Sequence, residues 1–137
     1  MQNKSIHRNV MAATALLAGS TTFSKIEQAT WGSGIRLYIT VTGASTTAGT
    51  DGVFLCGVPP AGGNPVPIVG FAGASMLSVN GVYIADWYPG AWLPTPAVVG
   101  GKLLGAAGIY IPMSWAIQVV MGAGSAATIT IDAELLP

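Results

Sequence analysis

The last third of the chain, Gly108 to Leu135, constrains the fold most, because two runs within it set apolar side chains with a period of two. Trp115, Ile117, Val119 and Met121 fall on one face of an extended strand. Ile129, Ile131, Ala133 and Leu135 fall on one face of the next, with Thr128, Thr130, Asp132 and Glu134 opposite. A period of two marks half-buried strands, whose successive side chains point to opposite sides of a sheet. The linker Gly122-Ala123-Gly124-Ser125-Ala126 reads as a hairpin loop, because small residues between two such runs permit a reversal.

The same logic extends upstream. From Gly34 to Thr42, Ile35, Leu37, Ile39 and Val41 face one way, and Arg36, Tyr38, Thr40 and Thr42 face the other. Gly43 to Gly52 is a polar loop of small residues. Val53 to Cys56 is apolar on both faces, as a strand covered on both sides would be. Val58 to Pro67 holds four prolines and two glycines, which excludes a central strand because proline donates no ladder hydrogen bond. Ile68 to Trp87 reads as a hairpin around Asn80-Gly81, since a type I′ turn needs positive φ at both central positions. Closing it pairs Val79 with Val82 and Leu77 with Ile84. Tyr88-Pro89-Gly90 then breaks the strand in the manner of a type II turn. Ala91 to Ala107 is irregular, with room for a short helix or turn over Val98 to Leu104.

The sum is an all-β chain: a single β-sandwich or jelly-roll-like domain of seven to eight antiparallel strands. The sandwich spans residues 13–137, and residues 1–12 form an extended N-terminal arm. The apolar run from Ala97 to Met121 is broken by Lys102 and Pro112 and is not a membrane span. Residues Met1 to Asn9 are polar with two cations, and Val10 to Gly19 are small and apolar. That order imitates a secretory signal, but the apolar part is alanine-rich and short. An arm, or a first strand through Leu16, Leu17, Thr21, Thr22 and Phe23, explains it as well.

Charge is scarce. Lys and Arg number 5 and Asp and Glu number 5 among 137 residues, about a third of the usual share. A monomer free in solution normally carries more, so either the surface is neutral and rich in Ser, Thr and Gly, or, as is favoured, much of it lies against other chains. Net charge is +0, so no global field points to nucleic acid or membrane. Lys4, Arg8 and Lys25 precede every acid, whereas Asp51, Asp86, Asp132 and Glu134 come later. A mildly basic N-terminal segment before a mildly acidic body suits docking on an acidic surface, and it suits a solvated tail as well.

The inventory for catalysis is thin. His7 is the only histidine and Cys56 the only cysteine, too few for a structural zinc site. His7 sits on the expected arm, away from any rigid pocket, where a triad base does not belong. No Asp-x-Asp-x-Asp-Gly calcium loop is present. Gly122-Ala123-Gly124 is followed by a strand, which is not how a phosphate-cradling loop is placed. No catalytic residue, cofactor or metal is therefore expected. Cys56, in the apolar run Val53-Phe54-Leu55-Cys56, reads as a buried small hydrophobe. The aromatic cluster Trp87, Tyr88 and Trp92 reads as core or subunit interface, where such residues are enriched. Stacking on a sugar is its alternative.

Several segments resemble a family of small tailed-bacteriophage virion proteins. The segments are Ala15-Leu16-Leu17-Ala18, the strand Gly34 to Thr42, and the Gly/Pro-rich Val53 to Pro60. Trp87-Tyr88-Pro89-Gly90, the Pro112-Met113-Ser114-Trp115 strand and the closing strand Thr128 to Leu136 complete the set. The Asn80-Gly81 region and residues 91–107 depart from the family pattern. The resemblance implies a non-enzymatic virion protein on the capsid surface, made in the host cytoplasm. Its role would be that of a decoration (cement) protein binding the expanded shell and not its precursor. The implied partners are the major capsid protein and further copies of itself, with trimers one possible order, and neither nucleic acid nor membrane. Lys4 and Arg8 on the arm would contact the shell, and Trp87, Tyr88 and Trp92 would make protomer contacts. On that reading the sandwich stays folded when residues 1–12 are deleted. A neck or tail component, a carbohydrate- or host-surface-binding module, and a secreted protein with a cleaved signal are the alternatives.

Overall fold

The computed structural model describes residues 6–28, 34–46, 49–74, 76–77, 79–89, 102–107 and 111–136, with the backbone alone at 46 and 102–107. Ten strands and no helix occur among them: β1 Ile6–Leu16, β2 Thr21–Phe23, β3 Glu27–Gln28, β4 Gly34–Thr46, β5 Thr50–Gly57, β6 Val66–Ala74, β7 Gly81–Trp87, β8 Lys102–Ala107, β9 Ser114–Val120 and β10 Ser125–Leu136. They form two sheets packed face to face. The first has the order β1-β10-β4-β7-β8; the second has the order β2-β9-β5-β6, with β3 also on β9. All pairings are antiparallel except β7 with β8, which is parallel. The chain is an all-β sandwich, with a parallel edge that alternation alone does not reveal.

The core lies between the sheets, where the period-two faces meet. Ile35, Leu37, Ile39, Ile129 and Ile131 of the first sheet and Val53, Leu55, Trp115, Ile117 and Val119 of the second are fully buried. Burial of such side chains contributes about 1.5–3 kcal/mol each, so the alternating pattern supplies most of the driving force.

Both expected hairpins are absent. β9 pairs with β5 in one sheet, and β10 pairs with β1 and β4 in the other. β6 pairs with β5, and β7 with β4 and β8. β9 and β10, and likewise β6 and β7, therefore lie in different sheets, so the chain crosses the sandwich between them rather than turning within one sheet. The reason is burial. Consecutive apolar faces can be covered by facing each other across the sandwich as well as by lying side by side. Leu77, expected opposite Ile84, instead plugs the core with 0 % exposure. Asn80 turns its Oδ1 to accept from the Ala44 N–H at 2.9 Å, which ties the second crossover to β4.

Three further expectations change. Residues 6–12 are not an arm. They open β1, whose Val10 and Met11 are buried and which pairs with β10 from Ile6 to Leu16; residues 1–5 lie outside the described residues. Residues 102–104 are strand rather than helix or turn. Pro67 does lie in a strand, but β6 is an edge strand paired only with β5 among the described strands, which is where proline is tolerated.

Candidate functional site

The two outer faces of the sandwich differ in chemistry. On the first sheet the cross-strand register lines up His7, Glu134, Arg36 and Asp86 in one row. Asn9, Asp132 and Tyr38 form the next. Arg36 grips Asp86 with two hydrogen bonds, Nε to Oδ1 at 2.8 Å and a terminal nitrogen to Oδ2 at 3.0 Å. The Tyr38 hydroxyl donates to Glu134 Oε2 at 2.9 Å, and Asn9 Nδ2 donates to Asp132 Oδ1 at 2.9 Å. The hydrogen bond to Asp86 raises the Arg36 guanidinium above its ordinary value. Burial, aided by the bond to Glu134, raises the Tyr38 phenol. These groups are largely satisfied by one another, and the paired geometry makes the row a rigid, mildly acidic patch.

The outer face of the second sheet carries no charged side chain among the described residues. Its rows are Thr21, Val120, Gly52 and Ala72; Phe23, Gln118, Phe54 and Gly70; and Ala116, Cys56 and Pro67. The only charged residues on its strands, Asp51 and Glu27, are buried. Phe54 lays its ring over Gly52 and Gly70, where any side chain would collide with it, and Gly52, Cys56 and Ala116 of this face are buried within the chain. Phe23 is 39 % exposed and Ala72 is exposed. Burial pushes the Cys56 thiol up to about 11, which makes it a poor nucleophile near neutrality.

The residues expected to make contacts are dispersed. Arg8 does not lie on a free arm. It sits in β1, and its guanidinium donates to Glu27 Oε2 at 2.9 Å, fastening β1 to β3 across the two sheets. Lys25 stands 3.7 Å from the same carboxylate. Trp87 is not a surface residue. It is 0 % exposed and stacks on Phe71 with centroids 5.6 Å apart, so it supplies neither a protomer contact nor a sugar platform. Tyr88 is half-buried just after β7. Lys4 and Trp92 lie outside the described residues. Among the described residues no group of three or more His, Cys, Asp or Glu could hold a metal ion, and no helix is long and apolar enough to cross a membrane.

One buried group had no sequence signal. Asp51, 0 % exposed, accepts from the Leu77 N–H through Oδ2 at 2.8 Å and from the Gly122 N–H through Oδ1 at 2.9 Å. A single carboxylate thus holds both crossovers that local turn chemistry misread. Gly122 is required beside it, because a Cβ there would stand 2.6 Å from the Thr50 nitrogen. Gly122 O also accepts from the N–H of Gly19, in the β1–β2 turn, and from the N–H of Ser125. The end of the sandwich is a fixed hub rather than a set of open loops. Comparison with protein-family models, with curated proteins and with solved structures gives no match for this chain.

Proposed function

We propose that this chain is a non-enzymatic structural protein of a bacteriophage particle, a decoration protein that stabilises the head through protein–protein contacts with the major capsid protein. The observation that carries the assembly part is the outer face of the second sheet, uncharged from Thr21 to Ala72 and exposed at its margins at Thr21, Phe23 and Ala72. A face without charge loses little by desolvation when another protein covers it, and interface cores are depleted in charged residues. The virion context is supported by the resemblance of the strand segments and not by the geometry. Such a protein acts by mass action: binding only the mature shell stabilises that state, and symmetry repeats each modest contact many times.

The experiment is the copy number of this chain in purified particles, by quantitative mass spectrometry against the major capsid protein. A number comparable to the capsid protein is expected. A few copies would move the protein to the neck, tail or a vertex, and absence from particles refutes the reading. The face is tested by Phe23→Glu, which places a charge at an exposed position of the uncharged face. Particle occupancy should fall while the thermal midpoint of the isolated protein stays unchanged.

A further inference from the structure

The four sheet edges are not alike. β1 carries His7 and Arg8 and two irregularities of register against β10, and the Lys25 N–H reaches its Val10 carbonyl at 3.3 Å. β2 and β3 span only 3 and 2 residues. β8 spans 6 residues and opens on Lys102. Charge, irregularity and shortness are the devices by which natural sheets stop their edges from pairing with other chains. β6 is different. It spans 9 residues, bears no charge, and exposes Val66 at 54 % and Ile68 at 51 %. Pro67 and the register shift opposite Leu55 and Cys56 blunt only its start; Val69 to Ala74 has neither.

From this contrast the geometry points to β6 as a self-pairing edge: two copies of this chain join β6 to β6, antiparallel about a two-fold axis, making one continuous sheet from both second sheets. A second copy suits the edge for three reasons. Antiparallel pairing of a strand with itself is closed under two-fold symmetry, so it ends at a dimer. An identical strand brings no opposite charge to offset its own, so charges of one sign would repel across the pair; β6 has none. Gly70, Ala72, Gly73 and Ala74 are small enough to let two backbones approach. Behind the edge, Phe71 is braced by its stack on Trp87, so β6 is held as a preformed template. Pairing also extends the uncharged outer face across both copies. This deepens the assembly reading by naming its self-contact, and it is tested on the isolated protein, so failure here is distinct from failure of the particle measurement.

The test uses Ala72 and Ala74, which are both exposed, so charge can be added there without entering the core. The wild-type chain, the A72K/A74K variant and the A72E/A74E variant are compared by analytical ultracentrifugation, with circular dichroism to confirm that each is folded. The wild type is expected to sediment as a dimer. Each variant alone should be monomeric, with association weakened at least about tenfold by like charges on facing strands. An equimolar mixture of the two should dimerise again. A wild-type monomer, a wild-type trimer, or a dimer that persists in both variants overturns the inference. A mixture that stays monomeric does so too, because pairing Val69 to Ala74 with itself sets Ala72 of each copy opposite, or diagonal to, Ala72 of the other.

Discussion

Replacing Asp51 by Asn isolates the contribution of one buried charge. The side chain is 0 % exposed and accepts two backbone N–H groups, from Leu77 at 2.8 Å and from Gly122 at 2.9 Å. Two effects oppose each other. Asn is neutral, so the cost of burying a carboxylate disappears. Yet Asn keeps a single acceptor oxygen, and its NH2 must point at one of the two donors. One hydrogen bond to a charged group is lost, worth about 1.5–3 kcal/mol, and the other weakens to a neutral bond of about 1 kcal/mol. The abandoned backbone donor stays buried without that acceptor, which adds about 1 kcal/mol. With these terms dominant, the net destabilisation is about 2–4 kcal/mol. For a chain of this size that is a fall in thermal midpoint of about 6–12 °C. Urea unfolding measures it, and an unchanged slope would show that the denatured state is not the cause. Asp51→Ala, which removes both acceptors, should cost more than Asp51→Asn. A midpoint equal to or above wild type for Asp51→Asn would refute the reasoning, since desolvation would then outweigh both hydrogen bonds.

Gly122→Ala should destabilise by about 1–3 kcal/mol on denaturant unfolding, because the added methyl meets the Thr50 backbone and not a flexible side chain. Deleting residues 1–12 should destabilise or unfold the domain rather than trim a free arm. It removes Val10 and Met11 from the core and the Arg8 bond to Glu27, and circular dichroism of the truncated chain checks this. Arg36→Gln should destabilise by about 1–2 kcal/mol in a thermal melt, because Arg36 is well exposed but Asp86 is buried and loses its two charge-assisted bonds. Cys56 should react with a thiol reagent far more slowly in the native protein than after denaturation. Its pH dependence has a definite sign. The thiol is raised from 9.0 to about 11 in the fold, so the unfolded chain gives up this proton first. The contribution of Cys56 to stability is complete below pH 9.0 and falls as pH rises towards about 11, which melts at stepped alkaline pH would show.

Alternation alone determined much of this molecule. The buried faces of β4, β9 and β10 are those that period two assigns, residue by residue from Ile35 to Val41, Trp115 to Met121 and Ile129 to Leu135. The reason is that a side chain's face depends only on its parity along the strand. Proline and glycine likewise marked the loop after β5 and the end of β7 at Trp87, because their effects on φ and on donors are local.

Which strand lies beside which was decided only by the tertiary structure. Asn80-Gly81 and Gly122-Ala123-Gly124 permit reversals, but nothing local distinguishes a reversal within a sheet from a step across the sandwich. That choice follows from the total burial of all faces and is held by Asp51, whose partners Leu77 and Gly122 are distant in sequence. Arg8 was misplaced for the same reason, and the choice between core and subunit interface for Trp87 was left open. A cation near the start of a chain gives no hint of Glu27 across a sheet boundary, and a tryptophan beside Tyr-Pro-Gly gives no hint of Phe71 above it. The charged row on one face and the uncharged rows on the other exist only once register is set. Composition established that charge is scarce, and the pairing of strands decided that Arg36, Asp86, Asp132 and Glu134 share one outer face.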